Sequence, residues 1–234
     1  MRLDRRKTLT LLGGAGVAAW AAPQVLSIPA AAAASCACSD GGANLVRNPV
    51  PTGYTPNALT NAEYDPNVPV GTAPGAVPDQ WTTTNGFRVI TYGSIDYPAT
   101  APTGGSDVLF SGSLDAGSAS PGTATQDWAL ASDCFPEIDA GTITYDMSAY
   151  LGGASGEADT MQFDTEFLDA ATSVVGTATL GPTAASAGFT LHTTSGTIPA
   201  TTRSLRFTLT ATKLGPAHAR NTASAALLEF VLCG

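Results

Sequence analysis

The stretch GTITYDMSAYLGG, residues 141–153, alternates with period two from end to end. Ile143, Tyr145, Met147, Ala149 and Leu151 fall on one side, and Thr144, Asp146, Ser148 and Tyr150 on the other. Successive side chains of a strand point to opposite faces, so the pattern describes a strand with one face in a core and one in solvent. DTMQFDTEFLDA, residues 159–170, repeats it, with Met161, Phe163, Thr165 and Phe167 inward and Gln162, Asp164, Glu166 and Leu168 outward. In RSLRFTLTAT, residues 203–212, the inward set is Leu205, Phe207, Leu209 and Ala211, with Arg203 and Lys213 flanking the ends. Two long half-buried strands in succession commit a chain to sheets that must cover each other.

Further β-prone segments lie between clusters of Gly, Pro, Asn and Asp, and no strong helical pattern follows residue 35. They are NLVRN (44–48), GFRVITYG (86–93), SDVLFSG (106–112), TATQDWAL (123–130), TSVVGTATL (172–180), GFTLHTTS (188–195) and ASAALLEFVLCG (223–234). About ten strands of this kind predict an all-β, antiparallel sandwich. Residues 49–79 hold seven prolines without periodicity, which predicts a long surface loop pinned by Tyr54, Leu59, Tyr64, Val68 and Val70.

The first 35 residues read differently. Arg2, Arg5, Arg6 and Lys7 precede an apolar run, 8–22, diluted by Gly13, Gly14 and Gly16, and small residues 30–34 offer a cleavage site. The run is too short to span a bilayer and has the layout of a removable export signal helix. The Arg5-Arg6 pair gives it a twin-arginine character, although Asp4 and Lys7 depart from the usual motif. An ordinary secretory signal is the alternative. Cys36 after Ala33-Ala34-Ser35 also leaves open a lipid anchor at that cysteine, though Ala33 stands where such sites usually have Leu. The expected location is extracellular, and the expected domains are the signal, 1–35, and one sandwich, 36–234.

Removing residues 1–35 leaves six basic side chains against eighteen acidic ones, a net charge of −12. Arg47, Arg88, Arg203, Arg206, Lys213 and Arg220 are scattered, so nucleic acid and anionic membrane surfaces are poor partners. No later segment has the length and apolarity of a membrane span. Four cysteines in an exported chain read as disulfides. Cys36 and Cys38 are too close to pair without strain, which leaves two connectivities, each sending one of them to Cys134 and the other to Cys233.

Taken in order, NLVRNP, VPDQWTTTNGFRVITYG, GGSDVLFSGSLDAGSASPGTATQ, IDAGTITYDMSAYLGG, DTMQFDTEFLDA and IPATTRSLRFTLTAT resemble galactose-binding-like β-sandwich (jelly-roll) domains. That group includes many carbohydrate-binding modules, and the resemblance spans roughly residues 44–232. It implies that the first and last strands lie side by side, bringing Cys233 to the N-terminal cysteines. It also implies a structural calcium site. Thr52 and Ala226 occupy the slots where the family commonly has Glu and Asp, so no metal or other cofactor is expected.

Motifs for catalysis are missing. Neither G-x-S-x-G nor H-E-x-x-H occurs, and His192 and His218 lack metal-spaced partners. Asp164 with Glu166, or Asp133, Glu137 and Asp139, would be carboxylates for glycoside hydrolysis; solubility explains them as well. Asp159, Asp164 and Glu166 could hold calcium, but no loop motif supports it. The remaining handle is aromatic: Trp81, Trp128, Tyr92, Tyr97, Tyr145 and Tyr150 could stack on a sugar. The resemblance implies that Trp81 is a core residue opening a strand, and Tyr97, Trp128 and Tyr92 are the ligand-binding candidates. The expected function is non-catalytic binding of carbohydrate or another cell-surface polymer. The alternatives are a structural subunit meeting itself or other proteins, and an extracellular glycosidase.

Overall fold

Alternation of apolar and polar side chains does become sheet. A computed structural model of the chain describes residues 38–47, 49, 80–92, 98–105, 108–113, 121–153, 158–184, 188–214 and 222–233. The expected export signal, Cys36, the body of the 49–79 loop, Thr52, Tyr97 and His218 lie outside the described residues.

The strands are β1 (Thr82–Thr84), β2 (Phe87–Thr91), β3 (Val108–Ser113), β4 (Gly122–Ala129), β5 (Thr144–Gly153), β6 (Thr160–Leu168), β7 (Val174–Ala184), β8 (Gly188–Thr197), β9 (Ser204–Thr212) and β10 (Ala223–Leu232). A 3-10 turn, Ser132–Cys134, runs into the short helix α1, Phe135–Asp139. Two five-stranded sheets result, in the orders β1-β4-β9-β6-β7 and β2-β3-β10-β5-β8, with every pairing antiparallel. The last eight strands change sheet at every connection except β6–β7, the jelly-roll order, and β1 and β2 extend one edge of each sheet.

The inward phases meet between the sheets. Tyr145, Met147, Ala149 and Leu151 of β5, Met161, Phe163, Thr165 and Phe167 of β6, and Leu205, Phe207, Leu209 and Ala211 of β9 are all buried, as their alternation requires. Aromatic rings link the layers: Tyr145 stacks on Phe230 at 5.2 Å, and Phe230 meets Phe207 at 5.4 Å. Each fully buried phenylalanine contributes about 2–3 kcal/mol of apolar burial. Trp81, just before β1, is buried against Phe110 with ring centroids 5.5 Å apart. That is the core position expected for it.

Two strand expectations are corrected. The described part of the expected 44–48 strand, residues 44–47, is not a strand; the strap of residues 38–47 joins β10 through isolated bridges, Gly41–Leu232 and Asn44–Val231. Asn44 turns its side chain onto the β10 backbone instead of continuing a ladder, and among the described residues the first strand is β1. Leu168 was expected outward and is buried at 2 % exposure. A register shift between Phe167 and Leu168 against β7 breaks the alternation there.

Residues 38–47 strap the sandwich. Cys38 is bonded to Cys134 across 96 positions, with Cα atoms 4.8 Å apart. Asp40 accepts from Ala131 N–H at 2.6 Å, and Gln126 of β4 brackets Arg47, accepting from its N–H at 2.9 Å and donating to its carbonyl at 3.1 Å. On the other side Gly42 and Leu45 N–H donate to the carbonyls of Leu232 and Phe230. The beginning of the described chain therefore lies along the last strand, as the resemblance implies. Cys233 is also disulfide-bonded, to a partner outside the described residues.

Candidate functional site

β5 lies between β10 and β8, and its outward residues set a regular floor. Asp146 stands between Val231 and Ser195, Ser148 between Glu229 and Thr193, and Tyr150 between Ala226 and Leu191. Neighbouring strands are about 4.8 Å apart and alternate residues of one strand about 7 Å. The floor thus runs about 14 Å from an acidic row, through a hydroxyl row, to an apolar row. Two adjoining cavities of about 530 and 300 Å³ open over it and share Ser148, Leu191 and Glu229. Thr103, Asn44, Pro49 and Leu227 border the apolar end.

A bulge shapes one wall. β10 changes register between Ala226 and Glu229, so its alternation slips, and Leu227 sits at φ 46°. That conformation is costly for a side chain of this size and persists only where neighbours enforce it. Asn44 is the enforcer. Its Nδ2 donates to the Leu228 carbonyl at 3.0 Å, and its Oδ1 accepts from Phe230 N–H at 3.1 Å and Val46 N–H at 3.0 Å. Leu228 N–H donates to the Pro49 carbonyl at 3.2 Å. Bulges commonly re-aim side chains beside binding sites. This one buries Leu228 and leaves Glu229 exposed on the floor.

The chemistry of the floor is one-sided. Leu191 is 49 % exposed and Tyr150 is half-buried. Ser148 Oγ donates to Glu229 Oε2 at 3.2 Å. The Asp146 carboxylate has no hydrogen bond or ion pair to a described residue. Among the described residues that line the two cavities none is Lys, Arg or His. An apolar platform beside free acceptors and hydroxyls can seat a flat, hydroxyl-bearing molecule and fix its orientation.

The residues singled out from sequence distribute unevenly. Trp128 lies on the inward phase of β4 at the rim of the core, with the Arg47 guanidinium over its ring at 4.7 Å. Tyr92 follows β2 and meets Phe189 edge-on at 6.0 Å, in a small apolar cluster with Ile90 and Leu109. Phe189 is opposite Gly152, one row beyond Tyr150, so Tyr92 shares the outer face but lies past the apolar end of the floor. Burial pushes the Tyr92 hydroxyl upward from its usual range. Gly152 is required there, because a Cβ would collide with the Gly188 carbonyl. Tyr97 lies outside the described residues.

The acidic candidates have structural partners. Asp133 accepts from Ser39 Oγ at 2.6 Å, which holds its carboxyl below the usual range. Asp139 takes a two-point contact from Arg203 at 2.8 and 3.0 Å and is likewise held low. Glu137 is in the first turn of α1, the helix that ends at Asp139. Asp164 accepts from Gln162 and Thr179, and Glu166 is 3.8 Å from Arg206. Buried Asp159 accepts from Leu214 and Thr222 N–H, both at 2.9 Å, tying the end of β9 to the start of β10. His192 Nε2 is 3.0 Å from Thr183 Oγ1. Among the described residues no group of three or more His, Cys, Asp or Glu could hold a metal ion. Ala226 is buried on β10.

Sequence reading missed Glu229, Leu191, Thr193 and Ser195. It had placed Asp146, Ser148 and Tyr150 on the outward phase, and that phase was the available signal.

No protein-family model matches the chain, and no curated protein does. Among solved structures it is similar to the enzymatically active domain of bacteriophage CBA120 tailspike protein 4, at 14% identity over 66% of this chain and TM-score 0.41. The match spans only 19% of that tailspike domain. A cyclase from Fischerella sp. TAU is similar at 14% identity, with 74% of this chain and 94% of the cyclase covered and TM-score 0.47. The CBM22-1 xylan-binding domain of Paenibacillus barcinonensis Xyn10C is similar at 12% identity, with 68% and 88% covered and TM-score 0.37.

Proposed function

We propose that this is an exported, non-catalytic sandwich protein that binds carbohydrate on the outer face of β10, β5 and β8. The observation that carries the reading is the floor itself: Tyr150 and Leu191 form an apolar platform beside Ser148, Thr193, Ser195 and two carboxylates, under an open groove. Sugars present one apolar ring face and a rim of hydroxyls, and such a floor meets both. The disulfide Cys38–Cys134 supports an oxidising, extracellular setting.

Non-catalytic binding is favoured by the placement of Asp146 and Glu229. They are exposed neighbours on one sheet face, without the apolar enclosure that makes a carboxyl a general acid. Self-assembly is the second reading. Among the described residues β7 and β8 are sheet edges, and Val174 and Val175 on β7 are 51 % and 36 % exposed.

A glycan array with the oxidised protein tests the proposal. Retention of at least one oligosaccharide class, with about thirtyfold or greater loss in Tyr150→Ala, is expected for a central aromatic anchor. An empty array, together with a dimer or larger species in solution, would replace it with the assembly reading. Release of reducing ends from a retained glycan would show that the reading as non-catalytic is wrong.

A further inference from the structure

We infer that the groove takes a glycan bearing free amino groups, a proposal that rests on the carbohydrate reading above and narrows it. The described charge is all of one sign. Among the described residues Asp146 has no partner, Glu229 has only the Ser148 hydroxyl, and no basic side chain lines either cavity. Elsewhere on the sandwich, Asp139 and Asp127 carry their own arginines at 2.8 Å. Asp146 and Glu229 are diagonal neighbours, since Glu229 is opposite Ser148 and Val231 is opposite Asp146. Diagonal positions are about 7–8 Å apart, a span that a single ammonium between two carboxylates can bridge.

The platform fits the same ligand. The two adjoining cavities join the Tyr150–Leu191 platform to the acidic row, so a chain lying in both reaches Asp146 and Glu229, and an ammonium near the Tyr150 face gains from the ring quadrupole. A sugar amine, like an α-amino group, is protonated below about pH 7. Uronate, sulfated or phosphate-bearing glycans would place their charge against Asp146 and Glu229 and are disfavoured. The chain as a whole carries a net charge of −9, which draws a cationic polymer from a distance.

The test is calorimetric titration of the oxidised full chain, at about pH 6, with three probes of equal length: a glucosamine oligomer, its N-acetylated counterpart and a neutral β-glucan oligomer. The glucosamine oligomer should bind about tenfold tighter than the other two, with the advantage shrinking as salt rises. Asp146→Asn and Glu229→Gln should each remove about threefold of that advantage, within the range for an exposed ion pair. Glu137→Gln, on α1, should change nothing. Equal affinity for all three probes would overturn the amine proposal and leave the carbohydrate reading standing. An equal loss in Glu137→Gln would overturn it too, because the attraction would then be diffuse. If none of the probes binds and the array is also empty, the carbohydrate reading falls and takes this proposal with it.

Discussion

The two outer faces of the sandwich are built from the same kind of alternating strand, yet they treat their polar groups differently. On β1-β4-β9-β6-β7 the outward residues satisfy one another. Arg206 bonds Asp127 at 2.8 Å and lies 3.8 Å from Glu166, Asp164 accepts from Gln162 and Thr179, and the Thr84 and Thr123 hydroxyls are 2.7 Å apart. On β10-β5-β8 the corresponding positions leave Asp146 unanswered, Glu229 half-answered and Leu191 exposed under a groove. A face that closes its own hydrogen bonds has little left for a partner. A face that keeps acceptors and apolar surface open beside each other is prepared for one.

The sharpest contrast lies between two aromatic residues. Trp128, on the inward phase beneath Arg47, should act as a packing residue. Trp128→Ala is expected to cost about 2–3 kcal/mol in a denaturant titration, below the 3–5 typical of a fully buried ring, and to leave glycan affinity unchanged. Tyr150→Ala should do the reverse. If Trp128→Ala abolished binding while stability held, the assignment of the binding face would be wrong.

Asn44→Ala probes how the open face keeps its shape. Loss of the bonds to Leu228, Phe230 and Val46 should cost about 1–3 kcal/mol. It should also weaken glycan binding, because Glu229 depends on the bulge those bonds hold. Unchanged binding in a destabilised variant would show that the bulge is fixed by other contacts.

On the self-satisfied face the effects shrink. Arg206→Met removes exposed ion pairs only, so a change of less than about 1 kcal/mol is expected, with no effect on binding. The smallest effect is a pH dependence. Asp139 and Asp133 are held below the usual carboxylate range, chiefly by Arg203 and by the Ser39 hydroxyl. A lowered folded pKa gives stability that is complete above the unfolded value, about 3.9, and fades as pH falls through the folded value. Thermal unfolding should therefore be insensitive to these groups at neutral pH and lose their contribution in acid, and Asp139→Asn should flatten part of that acid slope.

Much of this architecture is legible in the chain. Alternation in 141–153, 159–170 and 203–212 fixed which side chains of β5, β6 and β9 enter the core, because period two admits no other placement on a half-buried strand. The failures fall where alternation breaks. Leu168 turns inward at a register shift, and Glu229 reaches the floor through a bulge whose cause, Asn44, is far away in sequence. Leu191, Thr193 and Ser195 belong to a strand whose own pattern is nearly polar on both sides, so only pairing with β5 gives them a role. Tyr150 was visible as one aromatic among six. Its outward phase was the one local sign that set it apart, whereas Trp128 is covered by Arg47, which comes from the N-terminal strap.

Backbone amide chemical-shift mapping with a retained oligosaccharide compares the faces directly. Shifts concentrated at Asp146, Ser148, Tyr150, Leu191, Thr193 and Glu229, with Thr208, Asp164 and Thr125 unmoved, are the expected result. Shifts centred on β9 and β6 instead would contradict the claim that the unsatisfied face is the binding face.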